Sequence, residues 1–242
     1  MNKKLYYILF IFFTAFFIPA NSCKAQDKKG DSSESLKIIN SSELIDQSLL
    51  DKNLEIVDLK KYIPSLHFDL RYAESKNFMH EKLYPKLKTT YLRRAAATAL
   101  KNVVSDLKVK GLGLLIFDAY RPYSVTQLMW QKIGDPRYVA DPSKGSGHNR
   151  GIAVDLTLTK LGDKTSIPMP TDFDNFSDTA HSGFEDLPDS IKLNRSILKK
   201  VMEKNGFIQL STEWWHFYLP GSDKYDVMDI SFKSMKKIAS KK

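Results

Sequence analysis

The sequence predicts an α+β domain, a small and mostly antiparallel sheet with helices packed on one side. Three stretches carry that prediction. Leu112–Asp118, LGLLIFD, is a continuous apolar run of strand length and belongs inside a sheet. Residues 152–158 alternate, with Ile152, Val154, Leu156 and Leu158 on one side and Ala153, Asp155 and Thr157 on the other. Between 89 and 110, Leu92, Ala96, Ala99, Val103 and Leu107 recur at helical spacing until Gly111 stops the run.

Taken in order, the chain opens MNKK, continues with a fourteen-residue apolar run over 5–18, and then reaches Pro19 and small or polar residues. That is the layout of an export leader over residues 1–25. The run falls short of the ~20 residues that cross a bilayer as a stable helix. Export, with the mature protein in the periplasm, is therefore expected. The only cysteine, Cys23 in ANSCKAQ, leaves two processing routes open. Cleavage after Ala25 releases a thiol-free soluble protein, whereas cleavage before Cys23 leaves a lipidated N-terminus that tethers the protein to a membrane. Neither route allows an intramolecular disulfide.

Residues 26–53 are polar and serine-rich and read as a tether, with 44–50 as a short candidate helix. The folded domain is expected over 54–232. Its first pair of strands lies at 54–59 and 66–72. The helix at 89–110 and the strand Leu112–Asp118 follow. AYRPYS then turns the chain into a helix over 124–133, and the loop 134–147 delivers His148 ahead of the alternating strand. The irregular stretch 161–188 is longer than ordinary connections and reads as a covering loop. Asp189 or Ser190 caps a helix that runs through Asn205, with Gly206 at its end. FIQLSTEWWHFYL gives a strand, a short break and another strand, and the lysine-rich 233–242 reads as a solvated tail.

The net charge of +9 does not mark a nucleic-acid binder. Three of its lysines lie in the leader and five in the tail, and removing those eight leaves +1 for residues 26–232. No basic stripe crosses the domain.

Chemistry enters with SGHNRGIAVDLTL, residues 146–158, which sets His148 in a glycine-flanked loop and Asp155 in the strand after it. Alone, His-x6-Asp is degenerate, and a half-buried strand turning Asp155 to water is the better explanation of it. EWWHF, residues 213–217, adds His216 and, three residues earlier, Glu213. His148, Asp155 and His216 make the ligand set of a catalytic zinc, three protein donors with one position open. Glu213 is then a carboxylate free to take a proton from water. For Glu213 and His216 to converge the chain must bend before Trp214, because strand residues three apart point to opposite faces.

SGHNRGIAVD and EWWH match signatures of zinc peptidases that act on the D-alanine end of peptidoglycan precursors. Within that group the chain resembles the VanX-type D-alanyl-D-alanine dipeptidases. DLRYAESKNFM at 69–79, FDAYRP at 117–122 and FDNFSDTAH at 173–181 resemble their segments in the same order, so the likeness spans about residues 56–220. The resemblance implies the zinc D-Ala-D-Ala peptidase, or hedgehog-like, fold and one zinc per chain on His148, Asp155 and His216. It implies Glu213 as general base, Arg121 on the oxygen that becomes anionic, Asp174 and Tyr72 on the dipeptide's ammonium, and Ser146 as a polar contact. Two rivals remain: a carboxypeptidase or endopeptidase of the same group acting on longer muropeptides, and a zinc-containing binding module without catalysis. His67, His80 and His181 are read as strand, loop and covering-loop residues rather than ligands. Trp214 and Trp215 are expected to pack around the metal.

Overall fold

A computed structural model describes residues 36–240; the leader, Cys23 and the start of the tether lie outside the described residues. The elements run β1 (Ile38–Ile39), α1 (Ser41–Leu50), β2 (Ile56–Asp58), α2 (Leu59–Tyr62), β3 (His67–Phe68), β4 (Tyr91–Arg93) and α3 (Arg94–Lys108). They continue with β5 (Leu112–Asp118), α4 (Tyr123–Ile133), β6 (Ala153–Lys160), α5 (Asp189–Lys204), β7 (Ile208–Gln209), β8 (His216–Tyr218), β9 (Val227–Met228) and α6 (Phe232–Ser240).

The main sheet has five strands in the order β3-β5-β6-β8-β7, parallel only between β3 and β5. Helix α3 packs on β5 and on α5, which in turn lies against β6 and β7. The helical periodicity of α3 buries Ala96, Leu100, Val103 and Leu107 on that side. Asp155 and Thr157 face the other way, and the segment 161–188 roofs them. Phe173 of that roof stacks on Phe117 at 4.8 Å, and Trp214 donates its backbone N–H to Ala180 and its indole N–H to Thr171. Strand β6 is therefore buried on both faces, not half-buried as its alternation suggests.

Several boundaries differ from the sequence reading for physical reasons. The two early strands do not pair with each other. Asp58 accepts the N–H groups of Lys60 and Lys61 and starts α2, which turns the chain away, so β2 pairs with β4 and β3 with β5. The helix expected from 89 begins at Arg94 because Tyr91–Arg93 is taken up as a strand beside β2. Helix α5 starts at Asp189 after Pro188, with no side-chain cap.

Both ends expected to be solvated are packed. Asn40 and Glu43 form a capping box that starts α1, and Ile39 and Leu44 are buried. Strand β1 pairs in parallel with β9. At the other end α6 turns Phe232, Met235 and Ile238 inward while its lysines face water.

Candidate active site

SGHNRG folds as a tight loop leading into β6. At Gly147 a Cβ would come within 2.8 Å of the Ala153 Cβ, and Gly151 takes φ +70°, so both positions favour glycine. Ser146 and Asn149 clamp the loop by exchanging hydrogen bonds: the Asn149 N–H donates to Ser146 Oγ at 3.1 Å, and the Ser146 N–H to Asn149 Oδ1 at 3.0 Å. The Asn149 amide then donates to the Arg121 carbonyl and to Thr126, each at 2.9 Å. Asn149 is fully buried, and it ties the His148 loop to the turn carrying Arg121. The sequence reading missed it, although it lies beside His148 in the quoted stretch.

His148, Asp155 and His216 converge. His148 Nε2 lies 3.2 Å from His216 Nδ1 and 3.3 Å from Asp155 Oδ2, and His216 Nδ1 lies 2.9 Å from Asp155 Oδ1. Register explains the meeting of residues 61 apart, because Asp155 stands opposite His216 across β6 and β8. His148 Nδ1–H donates to the Ala119 carbonyl at 2.6 Å, which leaves Nε2 with its lone pair turned inward. Burial pushes the His216 imidazole below its ordinary pKa despite the Asp155 carboxylate, which favours the neutral form that binds metal. Burial pushes Asp155 up, but the adjoining imidazoles outweigh it and hold the carboxyl low.

These donors fit a metal ion. Tetrahedral ligands about 2.0–2.1 Å from one zinc lie roughly 3.3 Å apart, close to the spacings found here. Two imidazoles and a carboxylate are also a set that zinc accepts.

The bend after β7 brings Glu213 to the same place. Ser211, Thr212, Trp214 and Trp215 lie in turns, β8 begins only at His216, and Glu213 Oε2 reaches 3.8 Å from His216 Nδ1. Gln209, another residue the sequence reading missed, steadies that bend by donating its amide to the Trp214 carbonyl at 2.8 Å. Burial, with the charges of Asp155 and Asp174, raises the Glu213 carboxyl well above the usual range. Arg121 is buried beside Asp118, and the Tyr72 hydroxyl donates to Asp174 Oδ1 at 2.9 Å. Asp174 Oδ2 is shielded from solvent and has no hydrogen-bond partner. Asp174 also holds φ +61°, one of two such non-glycine residues among those described.

All eight side chains singled out in the sequence border one cavity of about 390 Å³. Trp215 lines it too, whereas Trp214 lies behind it against the roof. His67 is in β3, His80 in a turn and His181 on the roof, none of them with the three converging donors.

A family model described as D-ala-D-ala dipeptidase matches residues 52–236. The chain belongs to that family. Among the family's curated members, the D-alanyl-D-alanine dipeptidase of Escherichia coli is 36% identical over 178 residues, 74% of this chain and 91% of that protein. Those of Enterococcus faecalis and Streptomyces coelicolor are 27% and 30% identical, covering 69% and 67% of this chain and 94% and 92% of theirs. Similar solved structures include a variant of the vancomycin-resistance D,D-pentapeptidase VanY with Zn(II), at 15% identity and a TM-score of 0.36 over 57% of this chain and 78% of that one. The LD-carboxypeptidase LdcB is another, at 21% identity and 0.37 over 66% and 68%. Membership agrees with the α+β architecture, and the chain is a hydrolase of the metallopeptidase kind.

Proposed function

We propose that this protein is a zinc-dependent dipeptidase that hydrolyses free D-alanyl-D-alanine to two D-alanines in peptidoglycan metabolism. One observation carries the reading: three metal donors, the buried Glu213 carboxyl and the unpartnered Oδ2 of Asp174 face a single cavity of dipeptide size. His148, Asp155 and His216 would hold one zinc. When bound, that ion offers a coordination vacancy, polarises a carbonyl and acidifies water to a pKa of about 7.

The remaining steps belong to the chain. Glu213, whose Oε2 lies 3.8 Å from His216 Nδ1, accepts a proton from the attacking water and returns it to the leaving amine. Arg121, kept cationic because Asp118 together with Tyr72, Tyr84 and Asp155 outweighs the penalty of burial, donates to the oxygen that becomes anionic. Asp174, with Oδ1 held by Tyr72 and Oδ2 free, receives the substrate's ammonium. The Ser146 hydroxyl, already accepting from Asn149, keeps its proton to donate to the substrate. A buried carboxyl at the amine end, ionised once it pairs with a free ammonium, disfavours an extended chain there, which separates a dipeptidase from a carboxypeptidase.

The leader and Cys23 support an exported, periplasmic protein, either soluble or lipid-anchored. Purified protein should release D-alanine from free D-alanyl-D-alanine, lose that activity to a chelator and regain it with zinc. Faster release from a pentapeptide, or indifference to the chelator, would overturn the assignment.

A further inference from the structure

The oxyanion role given to Arg121 raises a question of geometry that the eight site residues do not answer. Its guanidinium lies between two carboxylates, because Asp118 stands opposite Asp155 across β5 and β6, at a register shift between Ile116 and Asp118. Either anion is a partner the cation could choose. Arg121 has chosen Asp118, with Nε at 3.0 Å and a terminal nitrogen at 2.9 Å from Asp118 Oδ2, while the same terminal nitrogen is 3.9 Å from Asp155 Oδ2. A two-point contact with one carboxylate fixes the plane of the fork as well as its place.

Asp118 is itself immobile. It is fully buried, its Oδ1 accepts the Ala119 N–H at 2.9 Å, and the Tyr84 hydroxyl donates to both its oxygens at 3.0 and 3.1 Å. The Tyr84 ring is seated in turn against Phe232 at 4.7 Å and edge-on to Tyr72 at 5.6 Å.

We propose that Asp118 is a positioning residue that holds the Arg121 guanidinium toward the cavity and off the metal ligand Asp155. An arginine released from Asp118 would need to move less than 1.5 Å or so to pair with Asp155 within ordinary charge-assisted distance. That pairing would spend the carboxylate the zinc requires and withdraw the donor from the reacting carbonyl. Asp118 thus serves two requirements at once, a free metal ligand and a correctly aimed cation. This rests on the reading of Arg121 and Asp155 given above.

A double-mutant cycle on the full-length mature protein tests it. Asp118→Asn keeps an acceptor for Ala119 and Tyr84 but removes the charge. It should lower zinc affinity about tenfold, the scale of a lost supporting contact at a metal site, measured by competition with a chromophoric chelator. It should also lower kcat with little change in KM. Adding Arg121→Ala to Asp118→Asn should restore zinc affinity to near the original value without restoring kcat. In the Arg121→Ala background, Asp118→Asn should cost no further kcat. The double variant removes the buried charges as a pair, so it remains informative if either single variant folds poorly.

Unchanged zinc affinity in a folded Asp118→Asn protein would overturn the proposal. So would a double variant that binds zinc as weakly as Asp118→Asn alone, or a further loss of kcat when Asp118 is changed in the absence of Arg121. Zinc competition needs no turnover, so an unmodified protein inactive on D-alanyl-D-alanine would sink the proposed function while leaving this test standing.

Discussion

At the scale of single residues, the cavity combines groups whose environments work against their ordinary ionisation. Glu213 is the sharpest case, because a carboxyl raised by burial and by two neighbouring anions is poised to keep a proton it has accepted. Glu213→Gln should leave zinc content unchanged, since Glu213 is outside the three-donor set, and should lower kcat by at least about 10²-fold, the lower range for removing a general acid–base group. Retained turnover with bound zinc would remove its role. Asp174 gives a second prediction in two parts. Losing a charged contact to the ammonium should raise KM about tenfold or more in Asp174→Asn, with kcat less affected. Asparagine also tolerates the left-handed backbone at this position.

The same substitution should change stability with pH. Burial raises the Asp174 carboxyl to about 8, against the Tyr72 hydrogen bond that lowers it, whereas the unfolded chain ionises near 3.9. A raised carboxyl contributes stability that is complete below the unfolded pKa and is lost as pH climbs toward the folded one. In metal-free protein, Asp174→Asn should therefore gain stability relative to the unmodified chain as pH rises from about 4 to about 8. Denaturant midpoints at the two ends of that window check the sign, and a gain that shrinks with pH would contradict it.

At the scale of elements, legibility followed length and periodicity. Leu112–Asp118 was readable to the residue because a seven-residue apolar run admits one placement, and α3 and α5 were readable as helices, though not to their exact ends, because four or more turns repeat the same stripe. The two-residue strands β1 and β9 are too short to show a period, and their existence depends on partners far away in the chain. Helix α6 was hidden because its lysines dominate the composition while only three apolar positions face inward. The candidate site was legible for a related reason: SGHNRGIAVD and EWWH carry the three converging donors on short, glycine- or turn-defined segments, whereas Asp118, Asn149 and Gln209 make contacts that no spacing records.

Arg93 shows how far such contacts reach. It is fully buried in β4, and it donates to the carbonyls of Arg150 and Leu54 at 2.9 Å and of Asp226 at 3.2 Å. Burial brings its pKa down to about 10, which is still high enough to keep it charged at neutral pH. One side chain therefore joins the His148 loop to both ends of the domain. Arg93→Met leaves three carbonyls without their donor, at about 1–3 kcal/mol each when unsatisfied. A loss of at least about 3 kcal/mol in denaturant unfolding is expected; a change under about 1 kcal/mol would mean that water replaces the guanidinium freely.

At the scale of the whole molecule, the family match begins at residue 52, yet the packed body begins earlier. Ile39 and Leu44 are buried, Gln47 donates to Asp226 at 2.6 Å, and β1 supplies the partner strand for β9. Strand β9 is in turn attached to the catalytic loop, because the Met228 N–H donates to the Asn149 carbonyl at 3.0 Å. A chain starting at Lys52 would thus lose two buried side chains worth about 1.5–3 kcal/mol each, and with them the outer support of the loop that carries His148. No residue of 36–51 lines the cavity, so the chemistry itself is not removed. The truncated protein should unfold at lower denaturant by several kcal/mol and bind zinc more weakly, while kcat at saturating zinc and low temperature stays within a few-fold of the longer chain. Equal stability of the two chains would show that the N-terminal segment rests on the domain without supporting it. A collapse of kcat despite bound zinc would show instead that the segment shapes the cavity in a way its contacts do not reveal.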